Sequence, residues 1–240
     1  MKVIPLHYVS ECESTNDDVL GFLEPRNPSA ALYCFCQTRA RGQYGNVWYT
    51  PKNENIAYSL ALEESLIDAS HLSSFNFYTA ILIRKFIAKM AERRVWIKWP
   101  NDIILNNKKI AGILIEQAKT DFGKFYVLGV GVNVLQKTFG SLSKASSLSV
   151  ECGKKFDLHD FSKKLHGFLS SYITKIPSVG ELLDLYHRFL YKKDQVSVFL
   201  WQGQPCNGII KKVDTEGFLW IEMEDGKKYK FFHKEIEMTY

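Results

Sequence analysis

Two groups of residues in this sequence have types and spacing suited to chemistry on anions. The first is the stretch CQTRARGQYGNVWYTP, Cys36 to Pro51, where Arg39, Arg41, Gly42 and Gly45 fall in a run too irregular for a helix or strand. Glycine frees the backbone there, so that successive N–H groups converge on an anion, and the guanidiniums add charge that needs no protonation step. A Walker loop is excluded, since GK[ST] is absent and no helix follows. The plain alternative is a solvated turn. The second group starts with KWPND, Lys98 to Asp102. Pro100 breaks a strand and holds Trp99 extended, so Asn101 and Asp102 present polar side chains at a strand junction. Seven residues after Asp102, Lys109 opens KIAGILIE and brings a flexible ammonium to the strand across the turn. GVGVNV, Gly129 to Val134, has glycines at alternate strand positions, which clears backbone for a ligand, but it lacks the third glycine and helix of a dinucleotide fingerprint. Each piece has a bland counterpart: Lys109 as an exposed turn lysine, Gly129 and Gly131 as a bulge, Trp99 as a core aromatic.

The elements that must position these residues follow from periodicity. A strand over 4–8 precedes a helix start in SECESTNDDVLGFL, with Ser14 or Thr15 as N-cap and Asp17 and Asp18 at the positive end of the dipole. Strands are expected over 30–38, leading into the loop, and over 55–62. Phe75, Tyr78, Leu82, Phe86 and Met90 make a helical stripe over 74–91. The pattern then changes to period two: VWIKW, DIIL, KIAGILIEQ and FYVLGVGVNV read as three or four antiparallel strands in sequence order, with turns at Asn106–Asn107 and Asp121–Phe122–Gly123. Leu158, Phe161, Leu165, Phe168, Leu169 and Tyr172 share the face of a further helix, and VGELLDLYHRFLY forms a shorter one. Beyond Lys193, short strands punctuated by Gly203, Gly208, Gly217 and Gly226 suggest a small β-barrel, with the boundary near 192–194.

Composition narrows the function classes. The 240 residues are 46% hydrophobic and 24% charged, which suits one sizeable core with a small second unit rather than a disordered or collagen-like chain. The N-terminus turns polar too soon for a signal peptide or a spanning helix, so a cytoplasmic protein without membrane association is expected. Five cysteines without repeated spacing point to reduced thiols. Cys34 and Cys36 would share one face of a strand and read as core packing, since no zinc-type spacing or HExxH accompanies them. A net charge of +5 favours anionic partners without demanding them. Sequence-specific DNA binding is not expected, because functional-looking residues begin by Ser14 and leave no room upstream for a helix-turn-helix.

STN, QTRARGQYGNVW, KWPND, KIAGILIE and GVGVNV, in this order and at these separations, resemble the signature segments of biotin protein ligases, also called biotin–[acetyl-CoA carboxylase] synthetases. The motifs run from Ser14 to Asn133, and the remainder is similar to the family's helices and C-terminal domain. The resemblance implies an α+β fold. Residues 1–192 would form a mixed, largely antiparallel sheet with flanking helices (the class II synthetase-like biotin/lipoate ligase core), and 193–240 a small SH3-like β-barrel. The winged helix of the repressor members is expected to be missing. The implied reaction has two steps: biotin and ATP give biotinyl-5′-AMP and pyrophosphate, with Mg2+ bridging the phosphates, and a lysine of a biotin carboxyl carrier protein then takes the biotinyl group.

By the same resemblance, Ser14, Thr15 and Gln37 would hold the ureido ring, and Ala40, Arg41, Gln43 and Lys109 would line the biotin and phosphate side. Gly129 would let biotin lie against the backbone. Asn101, Gly131, Asn133 and Trp48 would sit near ATP together with Arg41 and Lys109. Lys109, Arg41 and Asp102 would be catalytic, Asp102 receiving the acceptor amine. No metal ligand is assigned and the oligomeric state is open. The family's GRGRxGR loop reads ARGQYGN here: Ala40 limits positive φ, and Gln43 offers only neutral hydrogen bonds. The loop is expected to fold over its ligands. Two alternatives are a lipoate-protein ligase-like acyl transferase, whose hallmarks differ from KWPND and KIAGIL, and a non-catalytic biotin binder, against which the presence of Arg41 and Lys109 argues.

Overall fold

The structure, a computed structural model, describes residues 3–25, 27–46, 48, 51–67 and 72–239. Part of the Cys36–Pro51 stretch, namely Val47, Tyr49 and Thr50, therefore lies outside the described residues. The elements run β1 (Leu6–Tyr8), α1 (Thr15–Asp18), β2 (Ser29–Cys34), β3 (Asn55–Glu63), α2 (Leu72–Ala91), β4 (Trp96–Lys98), β5 (Asp102–Leu105), β6 (Lys108–Thr120) and β7 (Gly123–Asn133), followed by α3 (Leu148–Cys152), α4 (Leu158–Tyr172) and α5 (Val179–Arg188). The C-terminal strands are β8 (Val196–Trp201), β9 (Gln204–Val213), β10 (Leu219–Met223), β11 (Lys228–Phe231) and β12 (Ile236–Thr239). The fold is α+β, as expected.

Seven strands form one sheet in the order β1-β2-β3-β7-β6-β5-β4, antiparallel except for the β1–β2 pair. The expected run of three or four strands in sequence order is the four strands β4 to β7. Asn106 and Asn107 both have positive φ, 49° and 61°, which suits the two-residue hairpin turn read from the sequence. Period two divides the sheet faces. Ala31, Tyr33, Leu60 and Leu128 point into the main core under the helices, while Ala30, Leu32, Ala61 and Val127 pack with Val19, Leu23 and Phe125 in a smaller cluster on the other face. On the helical side α2 packs against α4 and α5, with Phe86 edge-on to Phe161 at 5.2 Å and Phe77 against Tyr186 at 4.6 Å.

Several elements differ from the sequence reading. The first helix is one α-turn that tightens into a 3-10 turn over Val19–Phe22; Ser14 occupies its N-cap but makes no side-chain cap bond. β2 stops at Cys34, four residues short of the expected end, because the chain beyond it pairs its backbone with Cys12. Cys34 and Cys36 therefore do not share a strand face. The short α3 was not anticipated, since five residues carry no legible period.

The C-terminal strands form a second, antiparallel sheet in the order β11-β10-β9-β8-β12. Gly203, Gly217 and Gly226 have positive φ, but Gly208 is no turn. It lies within β9, where a Cβ would stand 2.6 Å from Ile221 Cγ2. The two sheets meet closely. Trp99 Nε1 donates to Gly217 O at 3.0 Å, and Val213 N–H donates to His187 Nε2 at 2.9 Å. On the outer edge of β4, Ile97 N–H donates to Phe189 O and Tyr191 N–H donates to Ile97 O, both at 2.8 Å. No described helix is long and apolar enough to cross a membrane.

Candidate active site

The cleft lies on the sheet face opposite the large helices, beyond the end of the smaller cluster. Along β7 the positions after Phe125 and Val127 on that face are Gly129 and Gly131; opposite them stand Ser59 and Ala57 on β3, and Leu114 and Gly112 on β6. Small residues at neighbouring positions on three adjacent strands leave a floor into which other elements insert. A Cβ on Gly129 would lie 2.4 Å from Asn16 Oδ1, and one on Gly131 would lie 2.6 Å from the Trp48 indole, which also covers Gly112. The glycines thus admit Asn16 and Trp48 against the backbone, in the space where the sequence reading places a ligand.

Around this floor the sequence-predicted residues converge: Ser14, Thr15, Gln37, Arg41, Gln43, Trp48, Asn101, Asp102, Lys109, Gly129 and Gly131 all line one cleft. Ala40 and Asn133 are not among its lining residues. Ala40 contributes its carbonyl to Trp48 N–H at 3.1 Å, and Asn133 is buried with its amide donating to Ser146 O at 3.1 Å. Ala40 is also not among the residues with positive φ, so alanine adds no backbone strain at that point.

A polar network anchors the start of α1. Thr15 donates to Gln37 Oε1 from its backbone N at 2.7 Å and its hydroxyl at 3.1 Å. The Ser59 hydroxyl lies 2.7 Å from Thr15 Oγ1 and 2.6 Å from Asn16 Oδ1, and Asn16 Nδ2 donates to Glu116 Oε2 at 2.7 Å. Arg41 forms a fork on Asp17, with both contacts at 2.6 Å, and also reaches Glu116 at 3.3 Å. The Arg41 guanidinium holds the Asp17 carboxyl below its usual range, and the two carboxylates keep Arg41 charged.

Three of the loop amides are spent internally rather than aimed at an anion. Gly42 N–H donates to Asn46 O, Asn46 N–H to Gln43 O and Trp48 N–H to Ala40 O, with a 3-10 turn over Gln43–Gly45. The cleft measures about 150 Å³, below the range usual for ligand pockets, because Trp48 and the paired Arg41 fill it. Trp48 Nε1 and Gln43 Oε1 are buried there without a hydrogen-bond partner.

Lys109 reaches this cleft through a bulge. β5 and β6 pair Asp102 with Gly112 and Ile103 with Ala111, but Ile104 with Lys109, so Ile110 is the extra residue. Strict alternation would put Lys109 and Gly112 on opposite faces. The bulge returns Lys109 to the side of Gly112, whose Cβ position lies 3.5 Å from Lys109 Cε. There Lys109 Nζ pairs with Asp102 Oδ1 at 2.6 Å and lies 5.3 Å from the Trp48 ring centroid. Asn101 is pinned across the strands, its Nδ2 donating to Ile113 O at 2.5 Å. From the second sheet His233 joins the lining, edge-on to Trp99 at 5.8 Å, and burial holds its imidazole below the ordinary range. A wider cavity of about 870 Å³ opens alongside between α2, Trp99 and Phe218, sharing Gln43, Leu114 and His233 with the cleft.

Sequence reasoning missed Asn16, Asp17, Ser59, Gly112, Glu116 and His233 as parts of this arrangement. Asn16 and Glu116 stand inside the quoted STN and KIAGILIE segments, so the motif carried them without a stated role. Ser59 and His233 have no local signal. Among the described residues no group of three His, Cys, Asp or Glu side chains is placed to hold a metal ion.

The mixed seven-stranded sheet brings a glycine floor, an arginine loop and a bulge-directed lysine together around one cleft. The chain is a member of the biotin/lipoate A/B protein ligase family, whose model matches residues 9–133. Among its relatives is the bifunctional ligase/repressor BirA of Bacillus spizizenii, 29% identical over 220 residues that cover 84% of this chain and 64% of that protein. The chain thus spans less than two thirds of that relative's length. The biotin–[acetyl-CoA-carboxylase] ligase of Mycobacterium tuberculosis is 27% identical over 229 residues, covering 91% and 83% of the two chains. In fold, the chain is similar to the biotin protein ligase of Aquifex aeolicus in complex with biotin and ATP, with a TM-score of 0.79, 20% identity and 98% of each chain covered.

Proposed function

We propose that this chain is an ATP-dependent ligase that activates biotin as biotinyl-5′-AMP and transfers the biotinyl group to a lysine of a biotin carboxyl carrier protein. The observation that carries this reading is the meeting of Thr15 and Gln37, Arg41, and the Lys109–Asp102 pair in one narrow cleft. Ser14, Thr15 and Gln37 supply donors and acceptors for a ureido ring. In the first step a biotin carboxylate oxygen attacks the α-phosphorus and the bond to pyrophosphate breaks. Two anions must approach, so Lys109 and Arg41 act on the charge that builds between them, Arg41 exchanging Asp17 or Glu116 for the ligand. Trp48 must leave the Gly131 floor for a nucleotide to enter, and its buried indole N–H then gains an acceptor.

In the second step the acceptor lysine, having lost one ammonium proton, attacks the acyl carbon through its amine nitrogen, the C–O bond to AMP breaks, and a second proton leaves to solvent as the amide, which keeps one N–H, forms. Asp102 receives the incoming ammonium once Lys109 is engaged by phosphate. Mg2+ would reach this site with the triphosphate and would supply charge neutralisation there; among the described residues no group of three His, Cys, Asp or Glu side chains is placed to hold it without the nucleotide. Residues 1–192 perform this chemistry, and 193–240 supply His233 at its margin. Incubation with ATP and labelled biotin or labelled lipoate, followed by mass analysis, tests the reading. Biotinyl-adenylate is expected, with label passing to an added carrier domain. Lipoyl-adenylate alone, or no adenylate, overturns it.

A further inference from the structure

Beside the cleft the fold brings two thiols into contact. Cys12 lies between β1 and α1 in a parallel bridge with Gln37: its N–H donates to Cys36 O at 3.1 Å, and its carbonyl accepts from Thr38 N–H at 3.0 Å. Cys34 ends β2 and is fully buried, whereas Cys12 is half-buried. Their sulfurs stand 3.3 Å apart. Cys36, the third cysteine nearby, turns its thiol toward Glu11 Oε2 instead, at 3.5 Å. The function proposed above uses none of these groups.

We propose that Cys12 and Cys34 form a dithiol modification site that takes a small disulfide oxidant, and that its closure weakens the adjoining biotin cradle. One thiolate attacks a sulfur of the oxidant, forming a mixed disulfide and expelling one thiol; the second thiolate then attacks the protein-bound sulfur and expels the other. Both cysteines are oxidised and the oxidant is reduced to two thiols. The hydrogen bond from Cys12 draws the Cys34 thiol below its ordinary range and holds Cys12 well above it, so the pair gives up its first proton more readily than its second. Asp18 opposes ionisation of both sulfurs and Glu11 that of Cys34, but at Cys34 the hydrogen bond from Cys12 outweighs them.

A disulfide requires the sulfurs to close by roughly 1.2 Å, to about 2.05 Å. Cys12 lies close to Ser14 and Thr15 in sequence and is bridged to Gln37, so this movement falls on the two Thr15–Gln37 hydrogen bonds. The effect on biotin rests on the function proposed above, whereas the dithiol itself does not.

The full chain, folded and reduced, is treated with oxidised glutathione at mildly alkaline pH, alkylated with N-ethylmaleimide and digested for mass analysis. A Cys12–Cys34 cross-link is expected, reversible by dithiothreitol, with Cys36, Cys152 and Cys206 alkylated. Biotin affinity is expected to fall by about two- to tenfold in the oxidised protein, the worth of one neutral hydrogen bond, and to be insensitive to the oxidant in Cys12→Ser and Cys12→Ala. A Cys34–Cys36 link, a persistent glutathione adduct or unmodified thiols overturn the site. A Cys12–Cys34 link with unchanged affinity overturns its effect on the cradle. Loss of biotin binding in the reduced protein refutes the ligase reading while the cross-link still decides the dithiol.

Discussion

Replacing Gly129 by alanine tests whether the cleft floor is built as described. The glycine does not have positive φ, so alanine strains no backbone, and the whole effect must come from the added methyl. That methyl would stand 2.4 Å from Asn16 Oδ1 and 3.0 Å from its Cγ and Nδ2. Gly129 cannot retreat, because β7 is paired on both sides, to Ser59 and to Leu114. Asn16 must move instead, and with it go the bond to Glu116 at 2.7 Å and the contact with the fully buried Ser59 at 2.6 Å. Disrupting one or two buried polar contacts costs about 2–4 kcal/mol. For a chain of this size the expected drop in Tm is on the order of 5–15 °C. Thermal melting of Gly129→Ala, with Gly21→Ala as the control that meets nothing within 4 Å, measures this. In an Asn16→Ala background the second change should cost little, since the atom it strikes is gone. A melting point for Gly129→Ala within roughly 2 °C of the parent, or the same cost in both backgrounds, would falsify this account of the floor.

Lys109→Ala should lower adenylate formation at least about tenfold, the loss of one charge-assisted contact, while biotin still binds; near-normal yield in a pyrophosphate-release assay removes Lys109 from its role. Gln43→Arg should slow release of the adenylate by about three- to thirtyfold by adding charge assistance to the closed loop, and a chase experiment with equal or faster release refutes this. Burial lowers the imidazoles of His166, His187 and His233 from 6.5, so the unfolded chain binds protons first as pH falls. Their contribution to stability is complete above about pH 6.5 and is lost below it; urea midpoints should be lower at about pH 5.5 than at about 7.5, and a flat profile across that window contradicts the assignment.

Much of this was legible in the sequence because it depends on local pattern. The apolar stripe of α2, the Asn106–Asn107 turn and the four-strand run each follow from neighbours within a few residues. The convergence of Arg41, Lys109 and Thr15 came from motif order, not from any measurable spacing. What stayed hidden depends on distant pairing. The bulge at Ile110 is invisible until β5 fixes the register of β6, yet it decides the face on which Lys109 emerges. Ser59 reads as an ordinary strand residue until Asn16 is brought to it. Gly129 and Gly131 read from sequence as backbone cleared for a ligand, and only the folded chain shows Asn16 and Trp48 against them. His233 enters the cleft from another sheet, which no window of sequence near the motifs contains.

In the proposed reaction, the pairing of 189–191 along β4 bears on how an acceptor would reach the acyl-adenylate. A freely hinged boundary between the sheets would allow the cleft to be unroofed by swinging the smaller one away. Here the connecting chain is itself laced to the sheet edge by two 2.8 Å bonds, with Trp99–Gly217 and His187–Val213 as further rivets. A hinge fastened at three places does not swing cheaply. In the proposed reaction the part left to move is the arginine loop, and the wider cavity beside Gln43 and His233 would admit a protein-borne lysine. Access of the acceptor and retention of the intermediate would then be governed by one short segment, so a change that holds the loop shut would guard the adenylate and delay its delivery together.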